Sequence, residues 1–142
     1  MGKTLDRFLV KCHMNGFLTQ LVLLGVPLWW FLILASQSEV FNGSTSYDYM
    51  ESLMPQIQWA WLSFGCFAVA ALLYWWGNVR ARIVSNGILA FWHGLIAMCI
   101  FIASPSSTGS GTYAILAAVS TLRLLALTNA YRKSLARIYP HG

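Results

Sequence analysis

Four long apolar runs with at most one charged residue each dominate the sequence, and each is long enough to cross a lipid bilayer as a helix. They comprise residues 17–35, 57–77, 85–103 and 112–130, and only the last contains a charged side chain, Arg123. A hydrocarbon core of about 30 Å needs about 20 helical residues. The runs are continuously apolar, and a spanning segment must satisfy its own backbone hydrogen bonds, which requires helices. The sequence therefore predicts an all-α, integral membrane four-helix transmembrane bundle.

The composition excludes the main alternatives to a membrane protein. Hydrophobic residues make up 58% and charged residues 9% of the 142 positions. Soluble domains carry about 25% charged and about 45–50% apolar residues, and a chain of this length buries only about two thirds of its surface. A soluble domain, a disordered chain and a disulfide-stapled secreted module are thus excluded. Because no repeat or domain boundary is visible, residues 1–142 are expected to form a single membrane domain.

The basic residues predict the orientation of the spans. Eight of the nine Lys and Arg residues lie in residues 3–11, 80–82 and 132–137, which all fall on one side of the predicted membrane. The other connections, 36–56 and 104–111, contain none, and the first holds three of the four acidic residues. By the positive-inside rule the N- and C-termini are cytoplasmic. We expect the protein to lie in the bacterial inner membrane. We expect its net charge of +5 to attract anionic lipids rather than nucleic acid.

The segments that flank the spans also carry predictions. Residues 3–14 are expected to form an amphipathic interfacial leader, and residues 131–142 a cytoplasmic tail. The Ser- and Gly-rich segment 104–111 is typical of a flexible polar turn. The longer connection, 36–56, contains several apolar residues and is expected to fold onto the outer surface. Trp59, at the outer start of the second span, suits an interfacial aromatic belt.

Two ionisable side chains lie deep within the predicted spans, where such residues raise a functional question. His93 is about 12 Å and Arg123 about 13 Å from the same membrane surface, so the two share one depth. Arg123 either extends to the inner headgroups, pairs with an acidic residue of another chain, or forms part of a substrate or ion site. Ser120 lies one turn from Arg123. Arg123, His93 and Ser120 are therefore the candidate partner- or lipid-binding residues.

His93 is predicted to form a hydrogen bond between helices rather than to bind a metal or haem. Bis-histidine ligation needs a second buried imidazole, yet His13 and His141 lie outside the spans. A lone imidazole with water or Cys99 as the second ligand is a weaker alternative. We expect no metal and no cofactor, and a haem or chromophore held by His93 is the alternative to test.

Small residues predict where the third and fourth spans meet. Ala90, Gly94 and Ala97 form a narrow stripe on the third span, and Ala114 and Ala118 are one turn apart on the fourth. Such stripes let helix backbones approach closely. The predicted contact between the two spans follows these faces.

The sequence offers no enzymatic chemistry. It contains no intramembrane carboxylate, no CxxC pair, and no phosphate loop or nucleophile–base motif. We therefore expect a small accessory or structural subunit of a larger membrane complex of energy-transducing, secretion or conjugation type, packed against other subunits or itself. The alternative is a homo-oligomeric pore, such as a holin-like protein or an exclusion factor of a mobile element, with Arg123, Ser120 and Thr121 around its lumen. A cofactor-binding electron carrier is a third hypothesis.

Overall fold

A computed structural model of the chain describes residues 16–37, 39–41 and 44–138, and the regular secondary structure of these residues is all helical. The elements are α1 (Phe17–Ser36), a 3₁₀ helix (Thr45–Tyr47), α2 (Asp48–Leu53), α3 (Gln56–Trp75), α4 (Val79–Ala103) and α5 (Thr108–Ile138). Within these ranges four helices, α1, α3, α4 and α5, are long and apolar enough to cross a membrane, as predicted. The predicted leader, 3–14, lies outside the described residues, as do residues 139–142 of the tail.

The four long helices alternate in direction, so the molecule has two distinct ends. We call the end with Gly16, the α3–α4 turn and Tyr131 the proximal end, and the end with the α1–α3 connection and residues 104–107 the distal end. α1 packs against α3, α3 against α4, and α4 against α5. The contact between α4 and α5, the predicted third and fourth spans, is the most extensive of these.

Side chains at both ends join the first long helix to the last. At the distal end the Trp30 indole N–H donates a hydrogen bond to the Tyr113 hydroxyl. At the proximal end Arg123 Nη1 donates one to the Gly16 carbonyl at 2.6 Å. Since α1 and α5 are the two long helices farthest apart in sequence, these bonds close the row of helices into a ring.

The helix α4 starts earlier in the chain than the predicted third span. The helix begins at Val79, six residues before the predicted start at residue 85. Asn78 explains the difference, because its Oδ1 accepts the Arg80 backbone N–H at 3.1 Å and so caps the first turn. Gly77 makes the preceding turn possible with a φ of 76°. The predicted span starts after Arg80 and Arg82 because it was defined as a run without charge. The helix itself includes both arginines.

Both boundaries of α5 also differ from the prediction. The helix begins at Thr108, inside the segment predicted to be a flexible turn. Ser107 Oγ accepts the Ser110 backbone N–H at 3.3 Å, so a serine that suggested a loop satisfies a first-turn donor of the helix. α5 then continues to Ile138, which makes the described part of the predicted tail an extension of the same helix.

The α1–α3 connection folds onto the distal end, as predicted, and one amide side chain holds it there. Gln56 Oε1 accepts the backbone N–H groups of Val40 at 3.0 Å and of Phe41 at 3.3 Å. Gln56 Nε2 donates to the carbonyls of Leu34, at 2.9 Å, and of Gln37. Every hydrogen-bonding group of this amide therefore connects the start of α3 to the loop or to the end of α1.

Trp59 belongs to the core rather than to an interfacial belt. Its side chain is only 1% exposed, and its indole N–H donates to the Met50 carbonyl at 2.9 Å. α2 covers this side of α3 and supplies the polar partner that water would otherwise provide, so the Trp59 indole does not face outward as the side chain of a belt residue would. Trp61, on another face of the same helix, is 61% exposed.

The apolar core has two parts. The distal cluster joins α1, the connection, α3 and α4, and consists of Trp30, Leu34, Phe41, Met50, Trp59, Ala60, Trp92, Ile96, Cys99 and Ile100. The proximal cluster comprises Leu23 and Leu24 of α1, Ala70 of α3 and Leu89 of α4, with side chains of α5 packed against it. Polar side chains lie buried beside both clusters, and they form the candidate site.

Candidate functional site

Arg123 reaches the beginning of α1. Its side chain is partly buried on α5, and Nη1 donates to the Gly16 carbonyl, the group that also accepts the Gln20 N–H at 2.9 Å in the first turn of α1. Of the sequence alternatives, this geometry resembles the extended side chain, since the guanidinium points toward the proximal end. The Gly16 carbonyl that it bonds, however, is a backbone group of the same chain.

Gly16 fits this contact in two ways. Its φ of 55° lies in the left-handed region, which glycine adopts without a steric penalty. A Cβ at this position would lie 2.9 Å from Nη2 and 3.0 Å from Cζ of Arg123, closer than side chains normally approach. Gly16 therefore provides both the backbone conformation and the space that the guanidinium occupies.

His93 and Ser120 form a fully buried pair between α4 and α5. Both side chains are 0% exposed, and His93 Nδ1 lies 3.2 Å from Ser120 Oγ. Ser120 Oγ also lies 2.9 Å from the Leu116 carbonyl, and which group donates within the His93–Ser120 pair depends on the tautomer of the imidazole. Nε2 has no hydrogen-bond partner among the described residues. The predicted interhelical role of His93 has this geometric support.

A second buried pair joins α1 and α4 nearer the proximal end. Gln20 Nε2 donates to Ser85 Oγ at 3.4 Å, and Ser85 donates to the Ala70 carbonyl of α3 at 2.7 Å. Both polar side chains are 0% exposed. Three helices are therefore linked by polar groups in the proximal half of the bundle. Gln20 Oε1 has no partner among the described residues.

Asn86 adds a second buried amide, one residue after Ser85. Its Nδ2 donates to the Arg82 carbonyl one turn earlier at 2.9 Å, while Oδ1 is without a partner in the described part of the chain. Sequence reasoning missed Gln20 and Asn86 because it considered only ionisable groups within the spans. An amide inside an uncharged apolar run was the available signal, since such a group is also costly to bury without hydrogen bonds.

The predicted small residues do not share one environment. On α4, Ala90, Gly94 and Ala97 are partly buried, while on α5, Ala114 and Ala118 are exposed. The close α4–α5 contact contains the His93–Ser120 pair beside the α4 stripe. The α5 stripe, in contrast, faces away from the rest of the chain.

The described residues contain no group of three or more His, Cys, Asp or Glu side chains placed to hold a metal ion. Cys66 is partly buried and Cys99 is buried, and both are free thiols. His13 and His141 lie outside the described residues. The expectation that no cofactor is bound stays a prediction, with haem or chromophore binding through His93 as its alternative.

Comparisons of the chain with protein-family models, with curated proteins and with solved structures found no match.

Proposed function

We propose that this protein is a non-enzymatic, multi-pass membrane protein that acts as a small accessory subunit of a larger membrane complex. The observation that carries the proposal is the outward face of α5. α5 is the least buried of the four long helices, and Ala114 and Ala118 are exposed on it one turn apart. Gly111 extends the same face, and a Cβ at that position would meet open space.

This face is suited to another helix. Small residues one turn apart leave a shallow groove in which the backbone of a second helix can approach closely and gain packing energy. The outward face of α1 carries large exposed side chains, including Leu18, Leu21 and Val22, which suits contact with acyl chains. On α5 the exposed small residues lie among large exposed ones, Ile115, Leu122 and Leu125, so the small residues form a recess between larger side chains. The contrast favours a partner helix on α5, either from a different subunit or from a second copy of the chain.

We further propose that the termini are cytoplasmic and that the protein resides in the bacterial inner membrane. Support comes from the charges at the two ends. Arg80 Nε bonds the Tyr131 hydroxyl at 2.5 Å, which brings the basic α3–α4 turn beside the basic end of α5. The distal connection instead carries Glu39, Asp48 and Glu51. The proximal end would then contact anionic lipid headgroups on the cytoplasmic side.

The homo-oligomeric pore has less support. A lumen shared by several copies must be lined by groups that face outward from each chain. Ser120 is 0% exposed inside its own bundle, whereas Thr121 is exposed and uses its hydroxyl on the Ala117 carbonyl at 2.8 Å. The polar residues expected around a lumen thus lie on different sides of α5.

Photocrosslinking in the native membrane tests the accessory role. A photoreactive residue at position 118 is expected to form a discrete adduct with a membrane protein, and Ala118→Leu is expected to abolish the assembly by filling the groove. Ala35→Leu, the same change at an exposed position of α1, is the matched control and should leave the assembly intact.

The opposite pattern would refute the proposal. If position 118 crosslinks only to lipid, or if Ala118→Leu and Ala35→Leu leave the same assemblies, the α5 face does not hold a partner. Conductance in planar bilayers that is lost on changing Thr121 would instead support the pore.

A further inference from the structure

The distal end contains an aromatic box outside the polar site described above. Trp30 of α1 lies edge-on to Tyr47, with ring centroids 5.9 Å apart and planes at 89°. It also lies edge-on to Tyr113 of α5, at 5.8 Å and 70°. Tyr47 and Tyr113 therefore each stand at a steep angle to Trp30, and Phe41 stacks on Tyr47 with ring centroids 5.6 Å apart. We call the three rings of Trp30, Tyr47 and Tyr113 the box.

The box borders a cavity of about 160 Å³. Its walls come from α1, the connection and α5, and they comprise Trp29, Trp30, Ile33, Leu34, Val40, Tyr47 and Tyr113. A cavity of about 150 Å³ is large enough for benzene, a molecule of about six heavy atoms. Trp29 is 62% exposed, so the cavity extends to the surface of the protein.

The polar atoms of the walls limit what the cavity can hold. The Trp30 N–H is already donated to the Tyr113 hydroxyl. The lining contains no charged side chain and no carboxamide, so a primary ammonium would lose its water and find few acceptors. A quaternary ammonium donates no hydrogen bonds, and aromatic faces attract it through the ring quadrupole.

The negative charge of the distal end also favours cationic ligands over anionic ones. Glu39 directly precedes the wall residue Val40, and Asp48 directly follows the wall residue Tyr47. The segments 36–56 and 104–111 contain three acidic residues and no Lys or Arg. A surface with charge of one sign raises the local concentration of ions of the other sign.

We infer that this cavity binds a quaternary ammonium group of the choline type. The group is either a free molecule or the headgroup of a choline lipid, since both present the same chemistry to the aromatic walls. Its occupancy would connect α1, the connection and α5 through one ligand. The inference does not depend on the proposed accessory role, because it concerns the distal end and not the outward face of α5.

Direct binding of radiolabelled tetramethylammonium to the full chain tests the inference. The protein is placed in nanodiscs of phosphatidylglycerol, which carries no quaternary ammonium. One saturable site per chain is expected. Tyr47→Leu is expected to weaken the affinity about tenfold, the effect of losing one desolvated cation–π contact. Trp75→Leu, which removes an 86% exposed indole at the proximal end, is the matched control and should bind normally.

Two further measurements keep the test decisive if Tyr47→Leu does not fold. The paired substitutions Glu39→Gln and Asp48→Asn are expected to weaken binding several-fold at low salt and to have little effect at high salt. The neutral analogue 3,3-dimethylbutan-1-ol is expected to compete at least tenfold less well than choline. Absence of saturable binding, or equal competition by the neutral analogue, would overturn the inference.

A comparison of two lipids shows whether the quaternary ammonium group belongs to a lipid headgroup or to a soluble molecule. If nanodiscs of phosphatidylcholine compete with tetramethylammonium, the headgroup of the lipid occupies the box. If the affinity is the same in both lipids, the natural ligand is a soluble molecule. Both results support the site, and binding that persists unchanged in Tyr47→Leu and Trp30→Phe contradicts it.

Discussion

The contact between Gly16 and Arg123 predicts a specific loss of stability in Gly16→Ala. Left-handed backbone costs a non-glycine residue about 1–2 kcal/mol. The new Cβ would also lie 3.0 Å from Cζ of Arg123, so the flexible guanidinium must shift away from the Gly16 carbonyl. A hydrogen bond from a charged donor contributes about 1.5–3 kcal/mol. Together these two terms lead us to expect that Gly16→Ala lowers the free energy of unfolding by about 2.5–5 kcal/mol.

Gly77→Ala is the matched control for the backbone term. Gly77 also has a positive φ, 76°, but a Cβ there would meet only the Trp75 carbonyl oxygen, at an ordinary 3.8 Å. It should lower the free energy of unfolding by only about 1–2 kcal/mol, the cost of the backbone conformation alone. The difference between the two variants measures the contact with Arg123.

Reversible unfolding in mixed detergent–dodecyl sulfate micelles, followed by circular dichroism, provides the free energies. A double-mutant cycle with Arg123→Met completes the experiment, because Gly16→Ala should lose only its backbone term when the guanidinium is absent. Equal destabilisation by Gly16→Ala and Gly77→Ala, together with zero coupling to Arg123→Met, would refute the assignment of Arg123 to the start of α1.

Three further changes probe other parts of the structure. Gln56→Leu should release the α1–α3 connection, so that the backbone amides of the connection exchange with deuterium at least tenfold faster. Gln58→Leu, at a neighbouring exposed position, is the control and should leave the exchange unchanged. Ser120→Ala removes the hydroxyl that contacts the buried His93 imidazole and should lower the free energy of unfolding, measured in mixed micelles, by about 1–3 kcal/mol. Its control is Thr121→Ala, because the exposed Thr121 hydroxyl bonds a carbonyl of its own helix. This control should change the free energy of unfolding by less than about 0.5 kcal/mol. Gly25 lies in an exposed part of α1, and a Cβ there would meet open space. Gly25→Ala should therefore raise the melting temperature, because alanine has the higher helix propensity. An unchanged or lower melting temperature would show that the position has no room for a Cβ.

The sequence predicted the number and type of the long helices because each requires only a long apolar run, a property local to the chain. It placed helix ends less well. Asn78 and Ser107 each cap a helix, yet in a single sequence both are equally typical of turns, and the choice depends on the backbone that follows.

The candidate site was predicted in part. His93 and Ser120 were both candidates from the sequence, and the structure places their side chains 3.2 Å apart on the two helices of the predicted hairpin. The partner of Arg123 did not follow, because Gly16 is 107 residues away in sequence and contacts it only through the position of α1 beside α5. A single sequence gives the rise along each helix but not the rotation of each helix about its axis.

The ring of helices closes only between its first and last members, and this has a consequence for biogenesis. While the ribosome is still making the final helix, the indole N–H of Trp30 and the carbonyl of Gly16 cannot yet meet Tyr113 and Arg123. A nascent chain arrested after residue 103 would therefore expose those groups to lipid or to the insertion machinery. We expect such truncated chains to be recognised and degraded by membrane proteases, while the complete chain escapes them once its last helix has inserted.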